Sequence, residues 1–185
     1  MKQIASLEIG RTLIDAELKT TGGKAHRLSS FKQELLAVIF MCNHCPYVVG
    51  SIGHMVDLAG KYGEKVGFIA INANDYAAYP ADSPEGMDRF AAEHKIPFPY
   101  VLDETQEVAK RYGALRTPEV YLFDKARKLR YHGRVNDQPK ERAAVKQRDF
   151  ADAIAALLAG RPPAEPVTQA LGCTIKWKPG NAPAA

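Results

Sequence analysis

Two apolar runs, residues 34–41 and 66–72, stand on either side of a stretch in which Val48, Ile52, Met55, Val56 and Ala59 recur at a spacing near 3.6 residues. Runs with almost no polar alternation predict strands buried on both faces, and the 3.6 spacing predicts a helix that the Gly60–Gly63 region ends. A strand, a helix and a second strand in this order close into a right-handed parallel crossover. An apolar content of 46% over 185 residues is enough to fill the core of one such domain.

The rest of the chain supplies the flanks. Residues 83–93 predict a helix capped by Ser83, with Glu85 and Asp88 in or near the first turn, where carboxylates suit the helix dipole. Residues 105–112 predict a shorter helix with Thr105 as cap and Gly113 at its end. Residues 118–124 read as a strand that turns at 124–128 into a second strand at 129–133, a hairpin. A last helix is expected over 143–159, with Phe150, Ile154, Leu157 and Leu158 on one face. Near the N-terminus, 13–18 and 24–28 flank Thr20-Thr21-Gly22-Gly23 as another hairpin. The Arg161-Pro162-Pro163 break then separates a domain of residues 1–160 from a C-terminal tail, 161–185, packed on it.

Several function classes are excluded at this level. The longest apolar run, Leu35 to Cys42, is eight residues, against roughly 20 for a membrane span, so no membrane partner is expected. The N-terminus meets Glu8 before any stretch that could serve as a signal sequence, which places the chain in the cytoplasm. The net charge of +4 is uneven: residues 125–148 hold nine Lys or Arg against Asp137 and Glu141. That block lacks interleaved aromatics and any recognition motif, so it reads as a solvated face or docking patch, with no nucleic-acid partner.

Three cysteines cannot form a disulfide scaffold, and a close pair in a reducing compartment points to redox or metal chemistry. Cys42-Asn43-His44-Cys45 falls where the first buried strand hands over to the long helix, whose N-terminal amides and dipole stabilise an anion. Cys42 is expected to be the exposed, low-pKa thiol and Cys45 the inner one, a turn later and close enough to bond. His44, when protonated, adds a second positive influence on the Cys42 thiolate and makes the disulfide a stronger oxidant. The competing readings are two packed structural cysteines, or half of a metal site. A tetrahedral zinc site wants a second ligand pair, and only Cys173 and the scattered His26, His54, His94 and His132 are available. No metal and no cofactor are expected.

Thr117-Pro118 opens the strand before the second hairpin, and with it the chain resembles the thioredoxin-like superfamily. Phe90 to Glu104 and Val108 to Asp124 look like the branch holding peroxiredoxins and cytochrome-maturation thioredoxins. Cys42-Asn43-His44-Cys45-Pro46-Tyr47, with Asn72-Ala73-Asn74-Asp75 and the terminal Gly172-Cys173-Thr174-Ile175-Lys176-Trp177-Lys178, is similar to bacterial peroxiredoxin-like, AhpC/TSA-type redoxins. The resemblance, over about residues 13–178, implies an α/β thioredoxin-like fold: a central mixed β-sheet flanked by helices, with an N-terminal β-hairpin and a C-terminal tail. It implies that Pro118 is cis and faces the cysteines, and that Asn43, His44, Thr117 and Pro118 modulate the pair.

The expected activity is thiol-disulfide exchange, in which Cys42 attacks a protein or small-molecule disulfide, Cys45 resolves the mixed disulfide, and a separate reductant or oxidant resets the pair. A thiol peroxidase, and a metal-binding or redox-sensing module, are the rival readings. Departures from the family patterns matter. Met41 stands where a thioredoxin has Trp, and Asn43-His44 where it has Gly-Pro. The strand 35–41 has no carboxylate, so resolution at Cys45 calls on water or another group. The peroxiredoxin Pro-x-x-x-Thr-x-x-Cys places Val38 and Cys42, or Leu35 and Ile39, at its Pro and Thr positions. Cys173 is either a small residue tucked beside Ile175 and Trp177 or a third thiol, resolving or regulatory. Arg116 could steer an anionic sulfur or form a surface ion pair. Asn74-Asp75 and Tyr79-Pro80 read as loop builders.

Overall fold

The computed structural model describes residues 7–183. The six N-terminal residues, which carry most of the segment read above for a signal sequence, and residues 184 and 185 lie outside the described residues. The central strand β3 (Leu35–Phe40) is buried at every position. It leads into α1 (Pro46–Tyr62) and then into β4 (Val66–Asn72), which pairs parallel to β3 over six residues from Leu35 opposite Val66. Alternation along β3 feeds two cores. Leu35, Ala37, Ile39 and Met41 point into one with Ile52 and Met55 of α1, while Leu36, Val38 and Phe40 point into the other with Tyr112 and Tyr121. Each side chain removed from water on either face contributes about 1.5–3 kcal/mol, so this crossover anchors the molecule.

Around it lie β1 (Glu17–Thr20), β2 (Ala25–Arg27), α2 (Pro84–Glu93), β5 (Tyr100–Leu102), α3 (Glu107–Tyr112), β6 (Arg116–Thr117), β7 (Glu119–Phe123), β8 (Leu129–Gly133), α4 (Asp149–Leu158) and β9 (Cys173–Thr174). The seven-stranded sheet runs β2-β1-β5-β4-β3-β7-β8, with β3, β4 and β5 parallel and the rest antiparallel to their neighbours. Phe90 of α2 and Phe150 and Ile154 of α4 share the α1 face, and Val108 and Tyr112 of α3 cover the other. This is the mixed, helix-flanked sheet of a thioredoxin-like fold. Among the described residues no helix is long and apolar enough to cross a membrane.

The boundaries depart from the sequence expectation in four places, each for a local reason. Helix α1 begins at Pro46, not at Cys42: a proline at the first helical position keeps the residue before it extended, and Cys45 sits at φ −73°, ψ 122° as the N-cap. Helix α3 starts at Glu107, capped by Gln106 in the left-handed region rather than by Thr105, because Asp103 Oδ2 accepts the Ala109 amide and Gln106 turns inward to the Ala73 carbonyl. Helix α4 starts at Asp149, since the Asp137 carboxylate takes the amides of Lys146 and Gln147 and holds that stretch out of the helix. The N-terminal hairpin is shorter than its hydrophobic pattern, four and three residues. Ser83 caps α2 as expected, accepting from the Gly86 amide at 3.2 Å, and Gly113 closes α3 at φ +66°.

The tail crosses the domain. Thr168 donates its amide to the His132 carbonyl, Ile175 to that of Leu115, and Lys176 to Asn74 Oδ1. Within it, β9 pairs antiparallel with β6, Arg116 opposite Thr174 and Thr117 opposite Cys173.

Candidate active site

The carboxyl end of β3 delivers Cys42 to the mouth of the parallel crossover, and the turn through Asn43 and His44 brings Cys45 to the N-cap of α1. Cys42 is not the exposed thiol that the sequence led us to expect: Cys42 is 1% accessible and Cys45 0%. The tail and the loop through Thr117 and Pro118, whose peptide bond is cis, lie over them. Thr117 touches both sulfurs. Its hydroxyl is 3.4 Å from Cys42 Sγ, and its carbonyl accepts from Cys45 Sγ at 3.1 Å.

The two thiols titrate as a pair. One proton leaves early: the neighbouring Cys42 thiol draws Cys45 down to about 4 against the cost of burial, with help from the thiol and amide of Cys173 and the Val48 amide at the start of α1. The other proton is held, because the Cys45 thiol, burial and the Asp82 carboxylate all push Cys42 upward. Early loss of a single proton agrees with the Pro46-set helix start, which aims the dipole at Cys45 rather than Cys42. The Thr117 contacts act in the opposite direction. Its carbonyl favours a protonated Cys45 and its hydroxyl a charged Cys42, so the singly ionised pair has a hydrogen-bonding arrangement for charge on either sulfur.

On the other side of Cys42 stands the residue that sequence reasoning missed. Asp82, wholly buried, ends the 3-10 turn Pro80–Asp82. Its Oδ1 accepts from the Asn43 amide at 2.7 Å, its Oδ2 from Asn74 Nδ2 at 2.8 Å, and the same Oδ2 lies 2.6 Å from His44 Nδ1. The His44 ring, expected as a positive influence on Cys42, faces a carboxylate and stacks on Tyr79, centroids 5.7 Å apart. Asn43 is fixed through Ala81 O and the Tyr100 hydroxyl. Asn74 and Tyr79 are thus parts of the site wall rather than loop builders. A buried acid is present after all, beside the outer cysteine of the pair and not on β3. The Sγ of Cys42, a ring nitrogen of His44 and a carboxylate oxygen of Asp82 lie within 4.8 Å of one another, a donor set that a thiophilic divalent ion could use.

Below the loop, Glu119 of β7 accepts the amides of Leu115 and Arg116 at 2.9 Å and pairs with His132 Nε2 at 2.7 Å. Burial acts to raise its pKa, but the His132 contact and those amides hold it below the ordinary glutamate range. The Arg116 guanidinium donates to the Gly172 carbonyl at 2.9 Å and clamps the tail. Parts of the basic stretch are spoken for as well, with Arg130 on Asp124, Arg134 on Asp149 and Arg142 on Asp57.

The AhpC/TSA family model matches residues 9–132. The chain belongs to the AhpC/TSA family. An uncharacterized conserved protein of Geobacillus kaustophilus is 41% identical, with a TM-score of 0.87 over 94% of each chain. The thiol-disulfide oxidoreductase ResA of Bacillus thuringiensis subsp. konkukian is 27% identical over 124 residues, 66% of this chain and 68% of its own. The thioredoxin domain of a thiol-disulfide oxidoreductase from Bacteroides vulgatus shares the fold at 17% identity, with a TM-score of 0.58 over 67% of this chain and 86% of that one. The matched family segment holds Cys42, His44, Cys45, Asp82, Thr117 and Pro118 and stops before the tail that carries Cys173.

Proposed function

We propose that Cys42 and Cys45 form the working pair of a thiol-disulfide oxidoreductase. The observation that carries the reading is the gathering of both sulfurs on Thr117, inside a family fold whose relative in Bacillus thuringiensis bears that activity in its name. Within the singly ionised pair the Cys42 proton passes to Cys45, whose thiol the Thr117 carbonyl accepts from, and Cys42, charged and met by the Thr117 hydroxyl, attacks one sulfur of a protein or small-molecule disulfide. The substrate S–S bond breaks, a mixed disulfide forms and one substrate thiolate leaves. Cys45 then attacks Cys42 Sγ, the Cys42–Cys45 bond forms, and the second substrate sulfur departs with the Cys45 proton. Two electrons pass from the pair to the substrate, and a separate thiol reductant restores them. The cytoplasm is the setting this reading assumes, supported by a chain with only three cysteines.

Iodoacetamide labelling of single-cysteine variants tests the roles. Cys42 should react faster than Cys45, because the Thr117 hydroxyl meets a charged Cys42 while the Thr117 carbonyl holds the Cys45 proton. A faster Cys45 overturns the assignment. A Cys45→Ser variant should accumulate mixed disulfides that identify the substrates.

Two rivals have specific handles. The family match favours a thiol peroxidase test, although the positions that would form the peroxide pocket hold buried Val38 and Cys42, or Leu35 and Ile39. Peroxide consumption faster than disulfide exchange would select it. The Cys42, His44 and Asp82 donors favour a metal test, and zinc or copper bound at one equivalent in the purified protein would select that reading.

A further inference from the structure

Burial sets a problem for the chemistry just described. Thiol exchange needs a sulfur that an outside sulfur can reach in line, and Cys42 and Cys45 are 1% and 0% accessible. The third thiol is placed differently. Cys173 lies on β9, half-buried at the surface, and packs against the core cluster that contains the other two sulfurs. The strand register sets it opposite Thr117, the residue whose carbonyl lies 3.1 Å from Cys45 Sγ. Its neighbour Gly172 rests so closely on the Thr117–Pro118 bond that a Cβ there would stand 2.1 Å from the Thr117 oxygen. No other residue permits this approach, so the tail is seated flush on the site. The Arg116 guanidinium on Gly172 and the Ile175 amide on Leu115 hold it there from both sides.

We infer that Cys173 is a third redox thiol, which takes the disulfide from the buried pair and presents it at the surface to an external thiol. The inference rests on the proposed function for Cys42 and Cys45. The Cys173 thiolate attacks Cys45 Sγ, the Cys42–Cys45 bond breaks as the Cys45–Cys173 bond forms, and Cys42 leaves as a thiolate that the Thr117 hydroxyl can meet. Cys42 takes up the proton Cys173 lost, so this step is an isomerisation with no net transfer of electrons. An external thiol of low molecular weight then attacks Cys173 and releases Cys45, and a second molecule of the same thiol frees Cys173. The two external thiols leave as their own disulfide and supply the two electrons. The mutual influence of the Cys45 and Cys173 thiols on each other's ionisation agrees with their proximity.

The test uses the full chain with glutathione as the external thiol. In a Cys42→Ser protein treated with diamide, peptide mass spectrometry should find a Cys45–Cys173 disulfide. In a Cys173→Ser protein, reduction of the Cys42–Cys45 disulfide by glutathione should slow by about tenfold or more, with circular dichroism unchanged. Reduction within about twofold of the wild-type rate overturns the relay, whether or not the cross-link can be forced, and leaves the function of the pair standing. Failure of the function itself looks different: the wild-type protein would then form no Cys42–Cys45 disulfide and catalyse no exchange.

Discussion

The two walls that enclose the sulfur pair are built by opposite means. The wall beside Cys42 is a network of side chains: Asp82 at its centre, with the Asn43 amide, Asn74 and His44 around it and Tyr79 stacked outside. The wall beside Cys45 is mostly backbone: the Thr117 carbonyl, the β6–β9 pairing and Gly172 pressed on Thr117. Side chains carry charge and can be tuned one at a time, whereas a strand pair sets position and reach. The first wall therefore sets a charge beside Cys42, and the second fixes what lies over Cys45.

Removing the centre of the side-chain wall should have the largest effect. Asp82→Ala leaves the Asn43 amide and the Asn74 carboxamide without their acceptor, and loss of one member of a buried charged network costs about 3–5 kcal/mol. Urea unfolding should report a loss of that size, and a loss below about 1 kcal/mol would mean that water replaces the carboxylate. Thr117→Val touches both walls. Without the hydroxyl, a hydrogen bond to a charged sulfur worth about 1.5–3 kcal/mol is gone. The midpoint of iodoacetamide labelling should rise by about one to two pH units, and an unchanged midpoint would place the charge of the pair on Cys45 alone.

His44→Ala is expected to be milder. It leaves Asp82 facing Cys42 without its imidazole partner, which disfavours the thiolate and hence the reduced form. The disulfide becomes less oxidising, by about 30 mV for each tenfold change in the exchange equilibrium. Equilibration with glutathione buffers gives the number, and a shift to a more oxidising value would sever His44 from the tuning of Cys42. The smallest effect belongs to the backbone wall. Arg116→Gln removes one clamp on the Gly172 carbonyl, worth about 0.5–1.5 kcal/mol. Amide hydrogen exchange should quicken at Ile175 and Lys176 while β3 and β4 stay protected. A global loss of protection would show that the tail is part of the core rather than a cover.

The same contrast separates what was legible in the sequence from what was not. Strands β3 and β4 and helix α1 could be read because burial on both faces leaves an unbroken apolar run, and a one-sided helix leaves a 3.6 period. Ser83 and Gly113 announced helix ends because capping chemistry is local. Asp82 could not be read this way: it reaches the site from a short turn 37 residues beyond Cys45, and nothing in Pro80-Ala81-Asp82 records that its carboxylate points inward. The pairing of Arg116–Thr117 with Cys173–Thr174 was equally hidden, since two-residue strands have no periodicity. A local signal did exist for the start of α1, in the proline that follows Cys45. Its effect on the residue before it moves the helix end from the first cysteine toward the second.

Burial of the pair also bears on damage. A thiolate in open solvent climbs from sulfenic to sulfinic and sulfonic acid as successive oxidant molecules reach it, and the last steps are irreversible. Cys42 and Cys45 are buried against the Thr117 loop, so, if they work as the proposed pair, a sulfenic acid formed on one would be captured by the other with loss of water. Cys173, at the surface, has the greater exposure to oxidants, and irreversible injury would fall on the tail first. The enclosure that narrows access to the site would by the same means shield its sulfurs from successive oxidant molecules.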